Sequence, residues 1–102
     1  MNAGFFTEAG EKAGLGHLAR CSSLADGLVE EGIRVMFHVD ADDGSQVSVG
    51  HPATFVNWQT PSALTHCVSG RWDIAIVDSY RADEPTIGTI ANNSEKTAFF
   101  DD

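Results

Sequence analysis

The stretch GHLARCSSLADGLVEEGIRVMFHV, Gly16 to Val39, decides the fold. Leu18, Cys21, Leu24, Ala25 and Leu28 recur at spacings of three and four. That is the apolar face of a helix running from His17 to about Glu31. Gly32 is a natural C-terminal stop. Ile33 to Val39 (IRVMFHV) follows at once and reads as a buried strand. Upstream, Ala3 to Thr7 (AGFFT) is a short apolar run that suits a first strand, and Glu8 to Gly16 (EAGEKAGLG) is a glycine-rich loop.

Reading on downstream, Asp40 to Pro52 is a polar loop and Thr54 to Trp58 (TFVNW) a weaker third strand. Thr60 and Pro61 look like an N-cap followed by proline at the first helical position, opening a helix to about Ser69. Asp73 to Val77 (DIAIV) is the clearest central strand. Asp83 to Asn93 gives a helix with Pro85 in its first turn, and Thr97 to Phe100 (TAFF) a last strand. Strands alternating with helices predict a parallel sheet covered on both faces, an α/β Rossmann-like architecture with right-handed crossovers. The chain of 102 residues, 42% hydrophobic and 21% charged, fits one domain, residues 1–102. It stops directly after a predicted strand, where a covering helix is usual, so the expectation is one part of a longer protein.

The formal net charge of -9 repels nucleic acid and anionic membrane surfaces, so neither is expected as a partner. No apolar run approaches the roughly 20 residues of a membrane span. No basic segment followed by an apolar one marks a secretory signal. Cys21 and Cys67 form no CxxC. Two buried, reduced thiols in a cytoplasmic protein are therefore expected. No HxH, HExxH or Cys/His spacing points to a metal, and neither a metal nor an organic cofactor is expected.

In such folds ligands gather beyond the carboxyl ends of the strands. Three segments leave strands there: Thr7-Glu8 onward, Asp78-Ser79-Tyr80, and Asp101-Asp102. Gly14 and Gly16 let the backbone turn tightly before a helix whose first N–H groups lack partners. The loop is neither a full GxGxxG, since Ala19 follows Gly16 by three, nor a P-loop. A turn needed only for chain reversal is an equal reading. His17 stands where the helix dipole favours the neutral ring, which suits a general base. A capping or exposed histidine is the commoner case. Arg20, one turn on and on the same side, binds an anionic group or pairs with a loop acid. Asp78 either caps a turn or orients His17 or Arg20, and Tyr80 offers a hydroxyl on a rigid ring. Asp101 and Asp102 alternate sides and are no matched pair. No GxSxG elbow supports a serine triad.

Taken together, Gly14–Phe37 (GLGHLARCSSLADGLVEEGIRVMF), Asp73–Tyr80 (DIAIVDSY) and Phe99–Asp102 (FFDD) resemble the G-x-G-H-x-x-R-C, D-x-x-x-x-D-x-Y and paired-aspartate segments of the nucleotide-sugar hydrolases of the pseudaminic acid pathway and of related spore-coat polysaccharide biosynthesis proteins. Glu8 stands near the acid expected in the family's first loop. The resemblance implies the N-terminal half of a two-domain glycosyltransferase-B fold, with the C-terminal nucleotide-binding domain absent from this sequence. It implies hydrolysis of a UDP-linked 2,4-diacetamido-trideoxy sugar to UDP and free sugar. His17 would activate water at the anomeric carbon. Asp78 and Tyr80 would line the sugar pocket with the Gly14–Gly16 loop, and Arg20 would support the loop or a polar ligand group. The implied partners are the nucleotide-sugar and the missing domain or a second copy. A glycosyltransferase of the same fold and a non-catalytic nucleotide-sugar-binding module remain alternatives.

Overall fold

The computed structural model describes residues 1–9, 16–41 and 49–100. Its elements follow in the order β1 (Asn2–Ala9), α1 (Gly16–Glu30), β2 (Arg34–Ala41), β3 (Ala53–Phe55), α2 (Pro61–Val68), β4 (Trp72–Asp78), α3 (Glu84–Asn92) and β5 (Ser94–Phe99). The five strands form one sheet in the order β3-β2-β1-β4-β5, and every pairing is parallel. This is the α/β, Rossmann-like fold read from the sequence.

Period-two alternation along β1 divides the core. Ala3, Phe5 and Ala9 join Leu18, Cys21 and Ala25 of α1 on one face. Phe6 joins Leu64, Cys67 and Val68 of α2 and Ile90 of α3 on the other. Helices therefore cover both faces, and β1 is buried from Ala3 to Ala9. Phe5 stacks on Phe37 of β2 with ring centroids 4.6 Å apart. Both cysteines are free and buried, one on each side of the sheet. No helix among the described residues is long and apolar enough to cross a membrane.

Gly32 ends α1 with φ +84°, a left-handed conformation that glycine adopts without a Cβ clash. The Gly32 N–H reaches Val29 O at 2.9 Å and the Ile33 N–H reaches Leu28 O at 3.0 Å, which closes the helix end and turns the chain into β2. Gly4 has a packing reason instead. A Cβ there would meet the Trp72 indole at 2.7 Å. The indole is tied down, since Nε1 donates to Cys67 O at 3.0 Å. Gly4→Ala is expected to cost about 1–3 kcal/mol of unfolding free energy by overpacking. Urea melts check this, and an unchanged midpoint refutes it.

Four boundaries differ from the sequence expectation. β1 continues through Glu8 to Ala9, so Glu8 is a buried strand residue and not the start of a loop. β3 stops at Phe55. The Trp58 N–H then bonds back to Val56 O at 2.8 Å, and this turn drops the fully buried indole beneath β1. β5 starts at Ser94, and its exposed edge residues Glu95 and Lys96 carry no apolar pattern to announce it. Leu24 lies at the margin of the α1 stripe and is 39% exposed. Thr60 precedes α2 as expected, yet its hydroxyl donates to Asn57 O at 3.1 Å and caps no helix N–H.

Candidate functional site

Strand order turns around β1. β1 leads through α1 to β2 on one side, whereas β3 leads through α2 to β4 on the other. The carboxyl ends of β1 and β4 therefore flank the topological switch point, where open α/β sheets form their ligand crevice. Asp78, the last residue of β4, stands opposite Thr7 of β1 in the register. The N-terminal turn of α1 lies against this pair.

His17, Arg20 and Cys21 are spaced three and four along α1 and share one face. All three point at the Asp78 carboxylate. Arg20 Nε donates to Oδ2 at 2.6 Å and Nη2 donates to Oδ1 at 2.7 Å, a bidentate ion pair. His17 Nδ1 hydrogen-bonds Asp78 Oδ1. The Cys21 thiol lies 3.8 Å from Oδ2. Burial pushes the Asp78 carboxyl up, but the hydrogen bonds from Arg20 and His17 outweigh it and hold the group below the ordinary carboxylate range. Cys21 is driven the other way, up to about 12, by burial and by the Asp78 charge. It stays a thiol at neutral pH and is no nucleophile.

With Nδ1–H donated to Asp78, the neutral His17 ring carries its lone pair on Nε2. That nitrogen is buried and has no hydrogen-bond partner among the described residues. The Tyr80 ring meets the imidazole edge-on, with centroids 4.3 Å apart and planes at 78°. Tyr80 is itself 69% exposed. The Arg20 guanidinium also lies 4.8 Å from the centre of the Phe100 ring.

A second buried carboxylate stands beside this group on the other face of the sheet. Glu8 accepts the Ser79 hydroxyl and, at 2.9 Å, Gln59 Nε2 on Oε2. It accepts the Tyr80 N–H on Oε1 at 3.3 Å, with Arg81 Nε 3.9 Å away. Arg81 Nη1 also reaches Asp40 Oδ2 at 3.5 Å. Burial raises the Asp40 carboxyl, and Arg81 offsets part of that rise. The Ser79 oxygen additionally accepts the N–H groups of Arg81 at 3.0 Å and Ala82 at 3.1 Å. Ser79 is thus a turn residue with its hydroxyl engaged, and it does not complete a serine triad with His17 and Asp78.

Of the residues singled out in the sequence, His17, Arg20, Asp78 and Tyr80 come together. His17 is buried and neither exposed nor a cap. Arg20 is held by Asp78, which favours the pairing reading over a free anion-binding arm. Gly16 opens α1, and a Cβ there would meet nothing within 4 Å among the described residues. Gly14, Asp101 and Asp102 lie outside the described residues. Glu8 was passed over as a loop residue. Its place two residues after Phe6 in an apolar run was the available signal.

The remaining histidines stand apart. His38 bonds Phe5 O through Nδ1 at 3.2 Å, and His51 pairs with Asp26 at 2.8 Å. No group of three or more His, Cys, Asp or Glu among the described residues could hold a metal ion. An open groove of about 560 Å³, lined by Asn2, Arg34, Met36 and Trp72 among others, lies at the opposite, amino-terminal edge of the strands, away from His17. Comparison with protein-family models, curated proteins and solved structures finds no match to this chain.

Proposed function

We propose that this chain forms the sugar side of the cleft in a nucleotide-sugar hydrolase, with His17 as general base. The observation that carries the reading is the His17–Asp78 pair at the switch point, with the imidazole fixed at Nδ1 and Nε2 buried without a partner. A base oriented in this way needs only a proton donor at Nε2. The engaged Ser79 hydroxyl and the protonated Cys21 supply no nucleophile, which favours water over a covalent intermediate.

In the proposed step a water beside Nε2 gives its proton to His17 while its oxygen bonds the anomeric carbon. The bond from that carbon to the diphosphate oxygen breaks, and its electron pair leaves on UDP. Asp78 holds the tautomer and stabilises the imidazolium as it forms. The Tyr80 ring walls the sugar side of the imidazole. The sequence resemblance supplies the substrate, a UDP-linked 2,4-diacetamido-trideoxy sugar, and assigns the nucleotide to a second domain. The test is therefore made on the whole gene product.

His17→Ala is expected to lower the rate of UDP release by about 10²–10⁴-fold, the usual contribution of a positioned general base. Thermal melts run alongside separate this from loss of the fold. An unchanged rate overturns the assignment. Transfer of the sugar to an added acceptor hydroxyl, in place of water, identifies the enzyme as a transferase.

A further inference from the structure

The hydrogen-bonded ladder between β1 and β4 ends at the pair Thr7 and Asp78. Beyond it Ser79 and Tyr80 leave the sheet, and their backbone needs other partners. Glu8 supplies them. Its carboxylate is fully buried, which is costly unless the charge is well paired. The donors that satisfy it are the Ser79 hydroxyl, the Tyr80 N–H and Gln59 Nε2, with Arg81 close by. Two of those donors belong to the dipeptide that carries the Tyr80 ring to His17.

We propose that Glu8 is a positioning residue whose buried carboxylate fixes the Ser79–Tyr80 turn and so sets the Tyr80 ring against the His17 imidazole. Glu8 sits on a central strand and cannot shift without moving the sheet. The turn is therefore referenced to the same β1 frame that fixes Asp78 across the register. One carboxylate orients the imidazole through Nδ1, and the other orients the ring that walls it. The part this plays in catalysis rests on the hydrolase reading, but the positioning itself does not.

Tyr80 is the one tyrosine in the sequence, so its ring signals in an NMR spectrum are unambiguous. The wild-type chain should give a nuclear Overhauser effect between the Tyr80 and His17 rings. In Glu8→Gln the amide oxygen takes the position that serves both Ser79 and Gln59. The amide NH₂ then faces the Tyr80 N–H, which loses its acceptor. The ring–ring effect should be at least halved and the Tyr80 amide should exchange faster with solvent. In Glu8→Ala the ring–ring effect should disappear, with effects between β1 and β4 retained to show an intact sheet. A ring–ring effect unchanged in folded Glu8→Ala overturns the proposal. If that variant does not fold, an unchanged effect in Glu8→Gln overturns it. Gln59→Ala, which removes a donor outside the turn, should leave the Tyr80 signals in place. These readouts need no substrate. A lost contact in a gene product that releases no UDP upholds the positioning role and refutes the hydrolase reading instead.

Discussion

Asp78→Asn is expected to leave the chain folded and to cut UDP release by about 10³–10⁴-fold, the scale seen when the carboxylate partner of a base histidine becomes an amide. Asp78 accepts hydrogen bonds on both oxygens, and an amide has only one. Whichever way the amide points, its NH₂ opposes a guanidinium N–H, because Arg20 donates to both positions. The guanidinium cannot give up its proton, but the imidazole can exchange tautomers. The amide therefore turns its NH₂ toward His17 Nδ1, which becomes the acceptor, and the proton moves to Nε2. The base loses its lone pair where the water is to be deprotonated. Nitrogen-15 NMR of the histidines reads the tautomer directly, and an unchanged His17 tautomer refutes the argument.

Asp78→Ala goes further, since it leaves His17 Nδ1 and the Arg20 guanidinium without their shared partner. Breaking a buried pair costs about 3–5 kcal/mol, and the partial exposure of Arg20 places this case nearer 2–3. For a domain of this size that is a fall in Tm on the order of 10–20 °C. The pH dependence has a definite sign. The folded Asp78 pKa lies below its unfolded value, so its contribution is complete above about pH 4, the unfolded carboxylate value, and fades as the pH falls through the lower folded value. The wild type should therefore lose stability below pH 4 more steeply than Asp78→Asn, which has no carboxyl to protonate.

Trp58→Ala is expected to cost about 3–5 kcal/mol, a large part of the roughly 5–15 kcal/mol that holds a domain together. The indole is fully buried and meets the Phe6 ring edge-on at 5.5 Å. Its Nε1 donates to Thr7 O at 2.8 Å, one residue before Glu8. Removing it opens a cavity directly beneath the carboxyl end of β1. Trp58→Phe retains most of the apolar contact and loses the hydrogen bond, so it should cost about 1–2 kcal/mol. Urea melts of both variants separate packing from hydrogen bonding. A loss below 1 kcal/mol for Trp58→Ala contradicts this account of the core.

Trp58 also marks a limit of the sequence. TFVNW reads as a strand because its residues favour strands, and nothing local says that the chain turns after Phe55. The turn is favoured because the indole fills the space beside Phe6 and reaches a carbonyl of β1, contacts made across 51 residues of chain. Glu8 failed in the opposite sense. A charged residue beside glycines looks like a loop, and only the donors arriving from Ser79, Tyr80 and Gln59 make its burial tolerable. In the same way, β5 began earlier than its apolar residues suggested because edge strands need no buried alternation.

By itself the sequence determined the alternation of strands and helices, and hence a parallel sheet covered on both faces. It also determined that His17, Arg20 and Cys21 share one side of α1. Those are consequences of periodicity, which is local and survives without knowledge of the rest of the chain. The tertiary structure decided that β1 lies between β2 and β4, and so which carboxyl ends adjoin. That order brings Asp78 to His17 across 61 residues and Glu8 to Ser79 across 71. It turned a glycine-led helix with an ambiguous histidine into a buried, oriented imidazole. The reason is that a buried carboxylate is stable only where several donors converge on it, and convergence of distant segments has no signature in any one of them.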